Sequence, residues 1–571
     1  MRLNRQVLDL GATRASVDAR LVEWRAAGLG RRLWAKDPTV WFEEPVAEIA
    51  DRLGWLDLPG AMAGQIEGIE RFADQVCAEG TRHVVLLGMG GSSLAPEVFA
   101  AALGGGAHYP ELIVLDSTHP KAVADVERRI EIARTLFLVS SKSGTTLETL
   151  SLFRTFWRRA GGAGSGPGRR FAAITDAGSP LADLAAGRGF RNTFLAPADV
   201  GGRYSALSVF GLVPAALAGM DIRRLLAGAQ AMAEACGPEV AETENPALVL
   251  GAALAELARS GRDKLTFLTS PALNALPAWI EQLVAESIGK DGVGIVPVAG
   301  EAPGDAEVYG DDRFFVSFTL AGDGPGAGDG PGAGDGPGEA EEPLLSALSA
   351  AGHPVVRIEL SDVTGLAQEM FRWQLAVAAA AAALGVHPFD QPDVEIAKEL
   401  ARQAMASAVK GVEMPEADPA ASISINTGDP EALMQALSAW TGGARPGDYV
   451  ALQAYLAPTE ETTKALTDIR LALRDRLALA VTLGFGPRFL HSTGQLHKGG
   501  PDNGLFLQLV DEPDDDIAIP ETNYGFAALI GAQALGDLGA LEQRGRRVLR
   551  VDLGNDTASG LAALAKALGQ I

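Results

Sequence analysis

Two short apolar runs, each opening into a loop of small polar residues, constrain this chain most. His83-Val84-Val85-Leu86-Leu87 leads into Gly88-Met89-Gly90-Gly91-Ser92-Ser93, and Thr135-Leu136-Phe137-Leu138-Val139 leads into Ser140-Ser141-Lys142-Ser143-Gly144-Thr145-Thr146. Apolar runs of this length, ended by turn residues, read as strands buried on both faces, as in parallel sheets covered by helices. Small residues ahead of the next helix let backbone N–H groups and hydroxyls close on an anion. The same rhythm recurs at 112–115, 171–175 and 193–195 with helical segments between, which predicts an α/β fold.

A long helical stretch is expected at 205–235. A second alternating unit follows, with strands at 264–268, 313–320 and 354–360 and helices at 273–288, 365–384 and 391–409. A third segment, 420–571, has strands near 449–455, 506–510 and 547–552 and helices at 459–482 and 523–543. Residues 1–50, with Trp24, Trp34, Trp41 and Phe42, read as helical. A chain of 571 residues is too long for one typical core. The expected division is a helical segment 1–50, a first α/β domain 51–235, a second 236–410 and a C-terminal α/β part 411–571. Residues 321–338 are three copies of Ala-Gly-Asp-Gly-Pro-Gly. Such a composition buries too little apolar surface to offset its ordering entropy, so it reads as an elongated surface loop from repeat expansion.

The net charge of −24 argues against nucleic acid and against an acidic membrane surface, both of which need a basic face. It leaves room for an anionic substrate held by a few placed cations. Cys77 and Cys236 form neither a metal spacing nor a disulfide framework, which fits a reducing cytoplasm. No signal peptide is read behind Met1-Arg2-Leu3-Asn4-Arg5. The Ala-rich run from Leu375 to Val386 is too short to span a bilayer and reads as a buried helix.

The first loop is neither a dinucleotide fingerprint, since Ser93 stands where the third glycine belongs, nor a Walker loop, since no Gly-Lys-Ser/Thr follows. Alone it reads first as a plain tight turn. In the second loop Ser141, Ser143, Thr145 and Thr146 offer four hydroxyls beside Lys142, a set suited to a phosphate monoester. The competing reading is an over-provided helix N-cap, with Glu148 completing a capping box.

Five ordered blocks remove much of that ambiguity. Gly88-Met-Gly-Gly-Ser92 and Ser141-Lys-Ser-Gly-Thr-Thr146-Leu-Glu148 are followed by Gly201-Gly202-Arg203-Tyr204-Ser205. Gln282-Leu-Val-Ala-Glu286-Ser287-Ile-Gly289-Lys290 and Phe389-Asp390-Gln391-Pro392-Asp393-Val394-Glu395-Ile-Ala-Lys398 complete the set. Together they resemble the phosphoglucose isomerases, members of the sugar isomerase (SIS) fold. The resemblance implies two three-layer αβα SIS domains with parallel sheets, a C-terminal α/β extension, and a site at the carboxyl ends of the first sheet's strands.

It also implies reversible interconversion of glucose 6-phosphate and fructose 6-phosphate, by ring opening and a cis-enediolate, in glycolysis and gluconeogenesis. Proton transfer between C1 and C2 needs a base, and Glu286 takes that place. Partial burial of a carboxylate raises its pKa, which suits a base. Arg203 is the fixed cation for the enediolate. Gly91, Ser92, Ser141, Lys142, Ser143, Thr146 and Gln391 are the phosphate-binding candidates, and Gln282 and Glu148 the other substrate-facing ones. Without the blocks, Glu286 and Lys398 would read as solvated charges and Arg203 as a structural ion pair.

Ring opening is assigned to Lys398 and a histidine. The family carries that histidine shortly after the glutamate block, but Asp291 to Val316 has none. Leu490-His491-Ser492-Thr493-Gly494-Gln495-Leu496-His497-Lys498 has a similar flavour far downstream. His497 is the candidate, with His491 and Lys498 as rivals and a core or capping histidine as the plain alternative. No metal and no cofactor are expected, since the seven histidines make no ligand cluster.

The last 150 residues resemble the isomerase half of two-headed transaldolase–phosphoglucose isomerase proteins, including Tyr524-Gly525-Phe526 and Arg546 to Val551. A transaldolase needs a separate barrel, for which no residues remain, so no such activity is expected in this chain. A homodimer and a functional association with a transaldolase are further implications. The alternatives are a dual phosphoglucose/phosphomannose isomerase and a non-catalytic SIS sugar-phosphate sensor. A sensor would not need Glu286, Arg203 and Lys398.

Overall fold

The computed structural model describes residues 2–44, 46–104, 106, 108–161, 166–321, 338–410 and 422–571. The chain begins on a strand, β1 (Arg5–Asp9), and then builds five more: β2 (His83–Leu87), β3 (Glu111–Leu115), β4 (Thr135–Ser140), β5 (Phe171–Asp176) and β6 (Asn192–Ala196). These five form one parallel sheet in the order β3-β2-β4-β5-β6. The second sheet takes β7 (Lys264–Thr269), β8 (Val296–Val298), β9 (Arg313–Leu320) and β10 (Val355–Leu360), in the order β1-β10-β9-β7-β8. All its pairs are parallel except β1 on β10. The third sheet is wholly parallel: β11 (Ser422–Asn426), β12 (Tyr449–Tyr455), β13 (Ala480–Phe485), β14 (Gly504–Val510) and β15 (Arg547–Asp552), in the order β11-β15-β14-β12-β13. Helices cover the sheets, giving the expected three-layer α/β class.

Four local readings need correction. The supposedly all-helical 1–50 contains β1, which is fixed by Asn4. Asn4 Nδ2 donates to Gly365 O (2.9 Å) and Glu369 Oε1 (2.8 Å), and Arg372 donates to Asn4 O (2.9 Å). The stretch 205–235 is two helices, Val209–Leu217 and Ile222–Ala235, parted by Gly219 at φ +82° and restarted by an Asp221 side-chain cap. The helix expected at 459–482 is Glu460–Leu477. It stops at Ala478 in the left-handed region (φ 53°), and 480–485 is strand β13. Strands β8 and β11 are additional. All but the two end residues of the repeat 321–338 lie outside the described residues.

The Ala-rich helix Leu366–Leu384 is buried along most of its length and packs on Pro246–Arg259, as its apolar run from Leu375 onward requires. A ring chain positions the site. Trp55 meets Tyr204 at 5.1 Å and Tyr204 meets Phe389 at 5.2 Å, which locks Arg203 beside the 387–391 segment. The helix Pro392–Lys410 lies on Phe526–Gln543 of the C-terminal part. There Gly536 admits close contact: a Cβ on it would lie 2.6 Å from Ala401 N. Among the described residues, no helix is long and apolar enough to cross a membrane.

Candidate active site

The loop after β2 closes on three other segments because Gly90 and Gly91 have no side chains to hold them off. A Cβ on Gly90, which sits at φ +53°, would lie 2.8 Å from both Gln282 Nε2 and His491 O. One on Gly91 would lie 2.2 Å from Gly202 O. Gly91→Ala is therefore expected to part the loop from the Arg203 segment. Overpacking of this kind costs about 1–3 kcal/mol. Thermal unfolding should show the loss, together with weaker binding of a sugar phosphate by calorimetry. Ser92 is buried, and its carbonyl accepts from Ser140 Oγ (3.2 Å), which ties the two loops together.

In the second loop Ser141 Oγ meets Thr146 Oγ1 and Ser143 Oγ meets Thr145 Oγ1, both at 2.9 Å, and Gly144 N donates to Ser141 Oγ at 3.1 Å. The hydroxyls are thus pre-arranged ahead of the helix Leu147–Gly161. Lys142 is paired with Asp176, so its charge is partly neutralised in the chain itself.

Helix Leu276–Ile288 brings Glu286 to the Arg203 segment and, through Gln282, to the first loop. The residue is 7% exposed. Its Oε2 lies 3.3 Å from both Arg203 Nη1 and Gln282 Nε2. Arg203 also donates to Ser287 Oγ (2.9 Å), Gln391 Oε1 (2.9 Å), Pro388 O (2.7 Å) and Asp390 O (2.8 Å). Lys290 Nζ donates to Asp390 O (2.7 Å) and Oδ1 (2.6 Å) and to His387 O. The 387–391 segment is therefore wrapped around two buried cations. Burial raises the Glu286 pKa above the ordinary carboxylate value, against the pull of Arg203, His491, Lys290 and Lys398. Burial, reinforced by Arg203, brings Lys290 down to about 8.

The C-terminal part supplies the histidine. His491 Nε2 lies 3.1 Å from Glu148 Oε1, and His491 O accepts from Gln282 Nε2 (2.8 Å). Burial works against the Glu148 carboxylate, but the His491 contact and Lys398 hold its pKa below the ordinary value. Arg488 bridges Glu97 and Asp116 (3.1 Å to the latter), and Ser93 donates to the same Asp116 oxygen at 3.1 Å.

The structure brings together Gly91, Ser92, Ser141, Thr146, Arg203, Gln282, Glu286, Glu148, Gln391 and His491. It places His497 elsewhere, correcting that assignment. The His497 ring is enclosed by Phe489, Phe506 and Tyr449, with Nδ1 at 3.1 Å from Gln453 Nε2. Burial, with Lys498 and Arg546 adding, holds His497 well below its ordinary pKa, so it is a neutral core group. The rival Lys498 is buried in an ion pair with Asp537 (2.5 Å). Lys398 is half-exposed and paired with Glu395 (2.7 Å), though its charge reaches both Glu148 and Glu286. Gln391 is turned to Arg203. Gln533 and Lys290 join the site without having been singled out, and nothing local in the sequence marks Gln533.

A family model described as phosphoglucose isomerase matches residues 73–306, which span both loops, Arg203 and Glu286. The probable glucose-6-phosphate isomerase of Natronomonas pharaonis is 34% identical over 340 residues, 56% of this chain and 78% of that protein. The chain belongs to the phosphoglucose isomerase family. The glucose-6-phosphate isomerase of Thermus thermophilus is 31% identical over 398 residues, 63% of this chain and 91% of its own length. A hypothetical protein, also from Thermus thermophilus, superposes with a TM-score of 0.61 at 27% identity, covering 70% of this chain and all of that one. A glucose-6-phosphate isomerase from Chlamydia trachomatis shares the fold (TM-score 0.55, 20% identity, 71% of this chain and 86% of that one). The phosphoglucose isomerase match stops at 306, whereas the site's histidine stands at 491.

Proposed function

We propose that this chain reversibly isomerises glucose 6-phosphate and fructose 6-phosphate, as the names of its relatives imply for them. One observation carries the reading: a buried carboxylate, Glu286, sits between Arg203 and Gln282, and Gln282 packs on the first of two joined loops, the second of which is lined by hydroxyls fit for a phosphate. The serine and threonine hydroxyls and the helix N-terminus hold the phosphate. With its Nε2–H donated to Glu148, His491 turns Nδ1 to the sugar, gives a proton to the ring oxygen as the anomeric C–O bond breaks, and takes up the proton that the anomeric hydroxyl loses in becoming the carbonyl, with Lys398 at the rim assisting. Glu286 removes the C2 proton of the open aldose and returns it to C1, while the O2 hydroxyl proton passes to O1, so that C1 becomes the alcohol and C2 the ketone. Arg203 stabilises the enediolate between those steps, in a site with little water to compete. The same reading makes it a cytoplasmic enzyme, a homodimer by family resemblance and a functional companion of a transaldolase.

The test is a coupled assay without added metal, supplying fructose 6-phosphate and detecting glucose 6-phosphate. Glu286→Gln should lower kcat by about 100- to 10,000-fold, the usual contribution of a general base, with sugar-phosphate binding retained. The base must be ionised, and its raised pKa places the acid limb of the wild-type profile above the ordinary glutamate range. Binding without turnover in the wild type would overturn the reading in favour of a sensor.

A further inference from the structure

Gln533 lies on the helix Phe526–Gln543 of the C-terminal part, 4% exposed, with no nearby motif to mark it. Its amide is held from both ends. Oε1 accepts from Thr118 Oγ1 at 2.7 Å, which fixes the amide orientation. Nε2 is then directed at Glu148 and donates to Oε1 at 2.8 Å. That oxygen is the one His491 Nε2 meets at 3.1 Å. Thr118 is itself fully buried in the loop after β3, whose next residue His119 pairs with Asp511 of the C-terminal part (3.2 Å).

We infer that Gln533 is a positioning residue for ring opening: by sharing Glu148 Oε1 it sets how tightly Glu148 holds the His491 proton and how the imidazole is aimed. The inference rests on the isomerase reading above. A carboxylate oxygen that accepts one hydrogen bond from a neutral amide has less of its charge to give to an imidazolium. Without the amide, Glu148 binds the His491 proton more tightly and His491 becomes a poorer acid toward the ring oxygen. Among the described residues the other titratable groups acting on this pair are Glu286, Lys398 and the Tyr455 phenol, while Arg488 and Glu281 face the neighbouring loop through Asp116 and Ser492. None of these is displaced by an amide-to-thioether change at 533. The chemistry of C1–C2 proton transfer at Glu286 does not pass through Gln533, so the two steps should separate.

The experiment uses the full chain and two substrates. One is fructose 6-phosphate, which must be opened. The other is 5-deoxyfructose 6-phosphate, which lacks the ring-forming hydroxyl. Exchange of solvent deuterium into C1 is followed by NMR. Gln533→Met, nearly the same volume without the hydrogen bonds, should slow the cyclic substrate about ten-fold, about 1.4 kcal/mol, and the acyclic one less than two-fold. Thr118→Val should act in the same direction, and Gln533→Met should add nothing in a Glu148→Gln background, since a shared partner makes the effects non-additive. Equal slowing of both substrates, or full additivity with Glu148→Gln, would show a merely structural role and overturn the inference. Failure of the wild type itself to exchange deuterium into the acyclic substrate would instead overturn the isomerase reading.

Discussion

Replacing His491 with alanine should lower turnover of cyclic fructose 6-phosphate by about 100- to 1,000-fold, within the range for loss of an acid–base group. His497→Phe should leave turnover within a few-fold of wild type. The contrast separates two histidines six residues apart. His491 faces Glu148 at the mouth of the first sheet, whereas His497 is packed among three aromatic rings with a glutamine on Nδ1. The His497 change instead strips Gln453 of a buried partner, at a cost of about 1–3 kcal/mol in stability. Steady-state rates together with denaturant unfolding read both effects. A His497 variant that folds but loses turnover, beside an active His491 variant, would reverse the assignment.

Arg203→Ala should be the most damaging single change. The guanidinium makes five hydrogen bonds, two of them to backbone carbonyls of the 388–390 turn, and it faces a buried carboxylate. Removing one partner of a buried ion pair costs about 3–5 kcal/mol, because the remaining charge is left uncompensated. Arg203→Lys should rescue little, since an ammonium cannot reproduce the planar fork that spans Ser287, Gln391 and the turn. In Arg203→Ala the Glu286 carboxyl should ionise only at still higher pH, since Arg203 is the first charge opposing its burial. Urea unfolding and the pH profile of any residual turnover measure the two consequences. An Arg203→Lys protein with near-normal rate and stability would mean that only the positive charge matters.

Much of the first sheet was legible because its central strands β2 and β4 are apolar runs opening into Gly88 and Ser140, and the second because β7, β9 and β10 are rich in β-branched and aromatic residues. The misses have specific physical causes. Strand β8 is only Val296-Pro297-Val298, too short to show a period. Strand β13 was absorbed into a helix because Ala478, where the helix turns left-handed, is not a glycine or asparagine. The break near Gly219 was readable, since a left-handed glycine followed by an aspartate cap is a stop–start signal. Glu286 and Arg203 came from a block resemblance, and the structure places them in contact. The choice of histidine could not be made from spacing, because His491 and His497 flank the same Thr-Gly-Gln triplet and only burial tells them apart. Gln533 was invisible because its partners lie at positions 118 and 148, on other elements.

Strand β1 carries a consequence for how the chain acquires its shape. Arg5–Asp9 has one neighbour, Val355–Glu359 of β10, and the polar anchor at Asn4 needs Gly365, Gln368, Glu369 and Arg372. On the ribosome residues 5–9 must therefore wait for about 350 more to be made, some tens of seconds at about 5–20 residues per second, before they can pair. The first sheet, whose strands all lie between 83 and 196, meets no such delay. The phosphate-loop sheet should then take form early, with the amino-terminal strand joining late as a clasp on the second. Limited proteolysis of stalled nascent chains would show residues 5–9 becoming protected only after β10 and the helix behind it have emerged.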